Sequence, residues 1–333
     1  MKIGTVGTNF IVTWFIDAVG MIDGAEIAAV YSRDAATAKE FASKYGVKKT
    51  YSDRQAFLDD GTLDFIYVAS PNSLHYSWTR DALNAGRNVI CEKPFVSREK
   101  ELAELIGLSR EKGLFLFEAL TVPHLPNYKL FIERLDEIGT PKLALLNFSQ
   151  YSSRYDAFLG GKTPNVFNPK FSGGALMDLN YYNLCFILGI YGEPGDVKYY
   201  PNLATNGIDT SGALILEYPG FIAVCTACKD SASPNYVQIQ GDKGYIRVET
   251  TSSAMDTGVI VHTKDGTVRR NEQDKANGLY YEVRDFVEAF RGGDRSVCDG
   301  PLDESLLAMR LMEKARKDAG VYFEADKEDH HEN

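Results

Sequence analysis

The chain has 333 residues, 44% hydrophobic and 25% charged, with a formal net charge of −10 at pH 7. That length allows two domains with separate cores, and the composition is that of an ordinary globular protein. The acidic balance argues against a protein that tracks nucleic-acid phosphates, and no stretch approaches the roughly 18 apolar residues of a membrane span.

The opening MKIGTVG lacks the basic leader and sustained apolar region of a secretory signal. The five cysteines, Cys91, Cys185, Cys225, Cys228 and Cys298, are odd in number and scattered. They are expected to be free thiols in a reducing compartment, which makes the chain cytoplasmic. Cys225 and Cys228 share the apolar run FIAVCTAC, a predicted strand in which positions three apart face opposite sides. No second CxxC or histidine pair completes a ligand set, so they read as structural cysteines, with no metal site.

Taken in order, residues 1–120 alternate strand and helix signals. MKIGTVG is a strand ending in glycine, Ile11–Ile22 a helix and Glu26–Tyr31 a strand. Asp34–Tyr45 places Ala38, Phe41, Ala42 and Tyr45 on one helical face. Phe65–Ala69 is a strand, Leu74–Ala85 a helix and Asn88–Cys91 a strand. Ser97 caps the next helix, and Leu114–Phe117 is another strand. Repeated β-α-β units with short connections make a parallel sheet with helices on both faces.

The pattern then changes. Leu143–Ser149 is a strand, a polar, aromatic and glycine-rich stretch follows, and Leu176–Ile190 is a helix. Hairpin turns are expected at Pro219-Gly220, Gly241–Gly244 and Lys264–Gly266, giving an open antiparallel sheet. Two helices close the chain: one with Val283, Phe286, Val287 and Phe290 in register, the other from Asp303 to Ala319. The expected boundaries are 1–122, 123–325 and a frayed polar tail 326–333, whose His330-His331 pair reads as solvated.

Four clusters carry chemistry. Gly7-Thr8-Asn9-Phe10-Ile11-Val12 follows the first strand, where a dinucleotide pyrophosphate requires backbone N–H groups and a helix N-terminus. Against GxGxxG, Asn9 and Val12 replace the second and third glycines. Asn9 is expected to take the left-handed conformation that glycine would adopt, and the alternative is an ordinary strand-helix loop. Ser32 and Arg33 end the second strand, where a hydroxyl and a guanidinium suit a 2′-phosphate. Ser70-Pro71-Asn72-Ser73-Leu74-His75 and Cys91-Glu92-Lys93-Pro94 each follow a strand, the edge at which open α/β sheets bind ligands. Gly173-Gly174-Ala175-Leu176-Met177-Asp178 opens a helix that continues to Tyr182.

SPNSLH, CEKP and GGALMD in this order and spacing resemble the Gfo/Idh/MocA family of oxidoreductases, which includes glucose–fructose oxidoreductase and inositol dehydrogenase. The likeness covers nearly the whole chain. It implies an α/β fold: an N-terminal Rossmann dinucleotide-binding domain and a C-terminal α+β domain on an open, mainly antiparallel sheet. It also implies hydride transfer between NADP or NAD, with NADP favoured by Ser32 and Arg33, and a small polyol, sugar or cyclic alcohol or ketone. Gly7, Thr8, Asn9, Phe10, Ile11, Ser32, Arg33, Ser70, Pro71, Asn72, His75, Glu92 and Lys93 would line the cofactor.

By the same resemblance, Lys93 would sit beside nicotinamide and substrate, Asp178 would bind substrate hydroxyls, and Tyr182 would transfer the proton. An i, i+4 spacing puts Asp178 and Tyr182 on one helical face. A lysine buried near a cationic nicotinamide would have a lowered pKa and would stabilise a Tyr182 phenolate. Arg154, Tyr155, Asn165 and Asn168 either line the substrate pocket or belong to a structured loop. Pro123 stands where relatives carry an arginine, so sugar contacts of particular members do not transfer. The rival reading is a non-catalytic dinucleotide-binding regulator of the same fold. The open sheet is expected to be covered in a homodimer or homotetramer.

Overall fold

In the computed structural model, which describes residues 1–330, the first 120 residues alternate strand and helix as the apolar pattern predicts. The elements are β1 (Lys2–Val6), α1 (Phe10–Val19), β2 (Glu26–Tyr31), α2 (Ala35–Lys44), β3 (Lys49–Tyr51), α3 (Arg54–Leu58), β4 (Phe65–Val68), α4 (His75–Asn84), β5 (Asn88–Glu92), α5 (Glu99–Lys112) and β6 (Leu116–Ala119). They form a parallel sheet in the order β3-β2-β1-β4-β5-β6. Strand order reverses between β1 and β4, which makes the carboxyl edge there the binding crevice of a Rossmann fold. Every residue of β4 is buried, as a strand covered by helices on both faces must be.

The short pair β3 and α3 has too few residues for a visible period and was not foreseen. Ser97 does not cap α5. Arg98 holds that position, and the Glu101 carboxylate accepts from the N–H groups of Ser97 (3.0 Å) and Arg98 (3.2 Å), satisfying donors the helix leaves unpaired.

The second unit contains α6 (Pro126–Glu133), β7 (Pro141–Ser149), α7 (Tyr155–Leu159), α8 (Tyr181–Tyr191), β8 (Asp196–Leu203), β9 (Asp209–Tyr218), β10 (Phe221–Cys228), β11 (Tyr236–Gly241), β12 (Gly244–Val248), β13 (Val259–Thr263) and β14 (Gly266–Arg270). The sheet order is β14-β13-β12-β11-β7-β10-β9-β8. All three expected hairpins form, and every pairing is antiparallel except β7 with β10. Along β10 burial alternates. Ala223, Cys225 and Ala227 are buried, whereas Cys228 keeps some exposure, so the two cysteines of the CxxC do face opposite ways. None of the five cysteines is in a disulfide.

Helices α9 (Leu279–Gly292) and α10 (Asp299–Asp318) follow. The division differs from the expected chain-order split. Met1–Leu120 and Asn277–Leu306 form one unit, and Thr121–Ala276 with the residues from Leu307 form the other. The physical reason is aromatic. Phe286 of α9 stacks on Phe117 with ring centroids 4.5 Å apart, and Phe290 meets Phe65 edge-on at 5.1 Å.

The expected frayed tail is corrected in its first part. Glu324–His330 is a 3₁₀ segment, and the Asp326 carboxylate takes both terminal nitrogens of the fully buried Arg316 at 2.6 and 2.7 Å. A buried guanidinium requires such a partner. The His330-His331 reading extends to His331, outside the described residues. Among the described residues no helix is long and apolar enough to cross a membrane, and no three metal-ligating side chains cluster.

Candidate active site

In the first unit β1, β4 and β5 lie side by side, so Gly7–Phe10, Ala69–Leu74 and Lys93–Pro94 share one edge of the sheet. Gly7 has φ +110°, and a Cβ there would lie 2.7 Å from the Ala69 carbonyl oxygen, so the position excludes any side chain. Asn9 does not take the left-handed conformation expected of it: its φ and ψ are −82° and 178°. Its Oδ1 accepts from the N–H groups of Ile11 (3.2 Å) and Val12 (3.3 Å), and its Nδ2 donates to Ala69 O at 2.9 Å. Asn9 is thus the N-cap of α1 and ties the turn to the end of β4.

With Ile11 and Val12 served by that cap, the N–H groups of Thr8, Asn9 and Phe10 have no acceptor among the described residues. Three such donors beside the positive end of a helix fit a pyrophosphate, and Gly7 leaves the backbone bare for its approach. Val12, where the fingerprint carries its third glycine, is fully buried in the core.

At the end of β2, Ser32 is half-buried and Arg33 exposed. Asp34, the carboxylate at this edge, is occupied. It caps α2, accepting from the Thr37 N–H and hydroxyl, each at 2.7 Å, and the Thr37 bonds hold its pKa below the usual value.

Ser70, Pro71, Asn72 and Lys93 are all half-buried at this edge, and the Lys93–Pro94 peptide is cis. His75, expected beside the cofactor, is buried, with Nδ1 3.0 Å from Pro94 O and Nε2 2.8 Å from Ser70 O. Both ring nitrogens clamp the two loops to each other. Burial lowers its pKa, partly offset by those carbonyls. Glu92 also turns inward, accepting from the Tyr67 hydroxyl at 2.5 Å. Burial pushes its carboxyl up to about 7, against the opposing pull of Tyr67 and Lys93.

In the second unit the GGALMD segment has a steric logic. A Cβ at Gly173 would lie 2.7 Å from the Val166 backbone, and Gly174, at φ +105°, would drive one into the Asp209 carboxylate. Asp209 is fully buried and accepts from the Leu176 N–H and the Tyr199 hydroxyl, each at 2.7 Å. Burial raises its pKa to about 6. The helix expected from Leu176 begins instead as a π-turn, Leu176–Asn180, that passes into α8. Such turns recur at functional sites.

Throughout 172–184 every residue is buried except Asp178 and Tyr182. Tyr182 packs against Phe148, Ala175, Leu179 and Ala227, with its ring 5.9 Å from that of Phe148. Asp178 forms an ion pair with Lys229, a buried lysine at the end of β10. Lys229, Asp209 and Tyr199 carry no sequence signal; each matters only through what the fold places beside it. Of the other candidates, Asn168 accepts from the Lys170 N–H at 3.0 Å. Tyr155 sits among Tyr151, Phe158 and Phe167, while Arg154 and Asn165 are exposed. His124 lies half-buried in a 3₁₀ turn.

Comparison with known proteins agrees with this arrangement. Residues 1–120 match the model of the Gfo/Idh/MocA oxidoreductase family with an NAD-binding Rossmann fold, and residues 134–247 match that family's C-terminal domain. The chain is 35% identical to scyllo-inositol 2-dehydrogenase (NADP(+)) of Bacillus subtilis over 98% of this chain and 99% of that protein. It is 27% identical to the trans-1,2-dihydrobenzene-1,2-diol dehydrogenase of Mus musculus over 98% and 99% of the two chains. A 3-ketoreductase from Actinomadura kijaniata, solved with NADP and TDP-benzene, shares the fold, with a TM-score of 0.83 at 23% identity over 97% of this chain and 99% of that one. The chain belongs to the Gfo/Idh/MocA family of oxidoreductases.

Proposed function

We propose that the protein is a cytoplasmic NADP(H)-dependent dehydrogenase or reductase that interconverts hydroxyl and carbonyl on a cyclic polyol, sugar or related diol. The observation that carries this reading is the isolation of Asp178 and Tyr182 as the partly exposed residues of an otherwise buried helix start. The inositol dehydrogenase relative, which uses NADP(+), supports the substrate class and cofactor. The β2 edge supports the cofactor: Arg33 is exposed and Ser32 half-buried there, while Asp34 is taken up by its helix cap. Cysteines outside any disulfide suit the cytoplasm.

Thr8, Asn9 and Phe10 would hold the pyrophosphate through backbone N–H groups, with Gly7 and Ile11 framing the turn. Ser32 and Arg33 would hold the 2′-phosphate, and Ser70, Pro71 and Asn72 would flank the nicotinamide half. The nicotinamide, when bound, supplies the hydride donor or acceptor. Asp178 accepts a substrate hydroxyl hydrogen and so fixes which carbon faces the cofactor. Tyr182, as phenolate, receives the proton of the reacting hydroxyl in oxidation and returns it in reduction, and Lys93 would act at the nicotinamide edge of the first unit, the role that the family resemblance implies. His75 and Glu92 support the Lys93 turn from behind.

The test measures cofactor affinity by nicotinamide fluorescence, and turnover against a panel of cyclic polyols and their ketones. Lys93→Met and Tyr182→Phe should bind NADPH like the wild type, while Tyr182→Phe lowers turnover by roughly 10²–10⁴-fold, the range for loss of a general acid/base. Unchanged turnover in both variants would remove the mechanism. A wild type that binds NADPH yet consumes none with any carbonyl compound would favour a regulator.

A further inference from the structure

Lys229 follows β10 and is nearly inaccessible, its side chain only 4% exposed. Its backbone is fixed on both sides, with its N–H on Thr210 O at 2.8 Å and its carbonyl accepting from Ser152 N at 2.9 Å. An ammonium removed from water needs compensation. Here it comes from the Asp178 carboxylate and from the Phe167 ring, whose centroid lies 5.6 Å away. The same charge reaches Asp209, the carboxyl that holds the Leu176 N–H at the start of the helix. One buried cation therefore serves both the carboxylate exposed on the helix and the carboxylate beneath it.

We infer that Lys229 is a positioning residue: it keeps Asp178 ionised and aimed, so that substrate meets a fixed carboxylate and not a mobile acid. The inference rests on the reading of Asp178 as the residue that binds substrate hydroxyl. The titratable groups near the pair in the fold are Tyr182, one turn beyond Asp178, Asp209 on β9, Tyr199 on β8 and Asp230 next to Lys229 in the chain. Tyr199 bonds Asp209, and Asp230 accepts from Thr210 Oγ1 at 2.8 Å and Ser211 Oγ at 3.2 Å. Lys229 is the cation of this group. Without it, Asp178 loses its ion pair and Asp209 the positive charge beside it, and protonation of Asp178 becomes easier. A protonated or swinging Asp178 loses ground-state grip on the hydroxyl before it affects the proton transfer at Tyr182.

The experiment compares wild type, Lys229→Met, Lys229→Arg, Asp178→Asn and the double variant Asp178→Asn/Lys229→Met. KM, kcat and the pH profile of kcat/KM are read with the best substrate of the polyol panel. NADPH affinity and a thermal unfolding scan show that each protein is folded. The expected result is a KM rise of at least tenfold in Lys229→Met with a smaller change in kcat. Its acid limb should move to higher pH, Lys229→Arg should recover part of the loss, and the double variant should be no worse than Asp178→Asn alone. If Asp178→Asn raises KM while Lys229→Met leaves both KM and the acid limb in place, the inference is overturned and the reading of Asp178 stands. If Asp178→Asn itself leaves KM unchanged, the reading of Asp178 fails, and this inference with it. If Lys229→Met does not fold, Lys229→Arg decides, because a guanidinium keeps the charge but not the geometry. A KM and acid limb like wild type in that variant would then leave only charge at work and overturn the claim of aim.

Discussion

Asn9 makes three hydrogen bonds with one side chain, and each serves a different part of the turn. Its carbonyl oxygen takes two N–H groups of α1, and its amide reaches across to the last residue before the SPN loop. The turn needs one residue with positive φ, and Gly7 supplies it, so a glycine at position 9 would bring freedom without removing strain. Asn9→Ala should lower stability to denaturant by about 1–2 kcal/mol, the usual effect of removing a cap together with a tertiary hydrogen bond. Asn9→Asp keeps the cap but turns a carboxylate oxygen toward Ala69 O, and it sets a negative charge where three N–H groups await a pyrophosphate. Its stability should fall less than that of Asn9→Ala, while its NADPH affinity falls more than tenfold by calorimetric titration. Equal NADPH affinity in Asn9→Asp and wild type would mean that phosphates do not bind at this turn. The substitution of Asn for glycine was visible in the sequence, but its conformation was not. A cap and a left-handed turn both favour Asn, and only the position of Ala69 distinguishes them.

At the level of elements, strands with a clear period or a clear turn were legible: β2 spans the six residues that its apolar run marks, and all three hairpins fall at their Gly turns. Pairings without a local trace were not legible. The parallel contact of β7 with β10 joins strands far apart in sequence, and Lys229 reaches Asp178 from 51 residues away. The stripe of Val283, Phe286 and Val287 told that α9 buries a face, without saying which sheet lies under it. That burial has a consequence for pH.

Helix α9 carries Glu282 into the core fully buried, with neither carboxyl oxygen bonded to any described residue. Burial raises its pKa well above normal, and Glu92 and Glu118 add to the rise. This burial favours the neutral acid form of Glu282 over the carboxylate. For an acid whose folded pKa is raised, the stabilisation is complete below the unfolded value near 4.5. It is lost as pH climbs toward the folded value, because the unfolded chain releases its proton first. For Glu92, at about 7, this amounts to roughly 3 kcal/mol between those limits. Thermal unfolding of Glu282→Gln should show a gain over wild type that widens from pH 5 to pH 8. A gain independent of pH would mean that Glu282 is ionised in the folded protein.

For the molecule as a whole, the open face of the eight-stranded sheet raises the question of what covers it. Across its centre Leu145, Val224 and Ile215 stand in one register row, with Leu143 and Ile222 paired in the next. Gln238 and Gln240 border them on the β11 side, and Lys198 and Glu217 on the other. All five apolar residues remain at least partly exposed in the isolated chain, Ile222 at 41%. An apolar centre inside a polar border is the anatomy of a protein interface, and a two-fold pairing of identical sheets would cover it with a copy of itself. We propose that the chain assembles as a homodimer or homotetramer through this face. Sedimentation of the wild type should give a dimer or tetramer at micromolar concentration. Val224→Glu should give a monomer that still binds NADPH, since the new carboxylate is hydrated on the free chain and becomes an unpaired buried charge only in the assembly. A wild type that sediments as a monomer would remove the proposal, and an unchanged oligomer in Val224→Glu would move the interface to another surface.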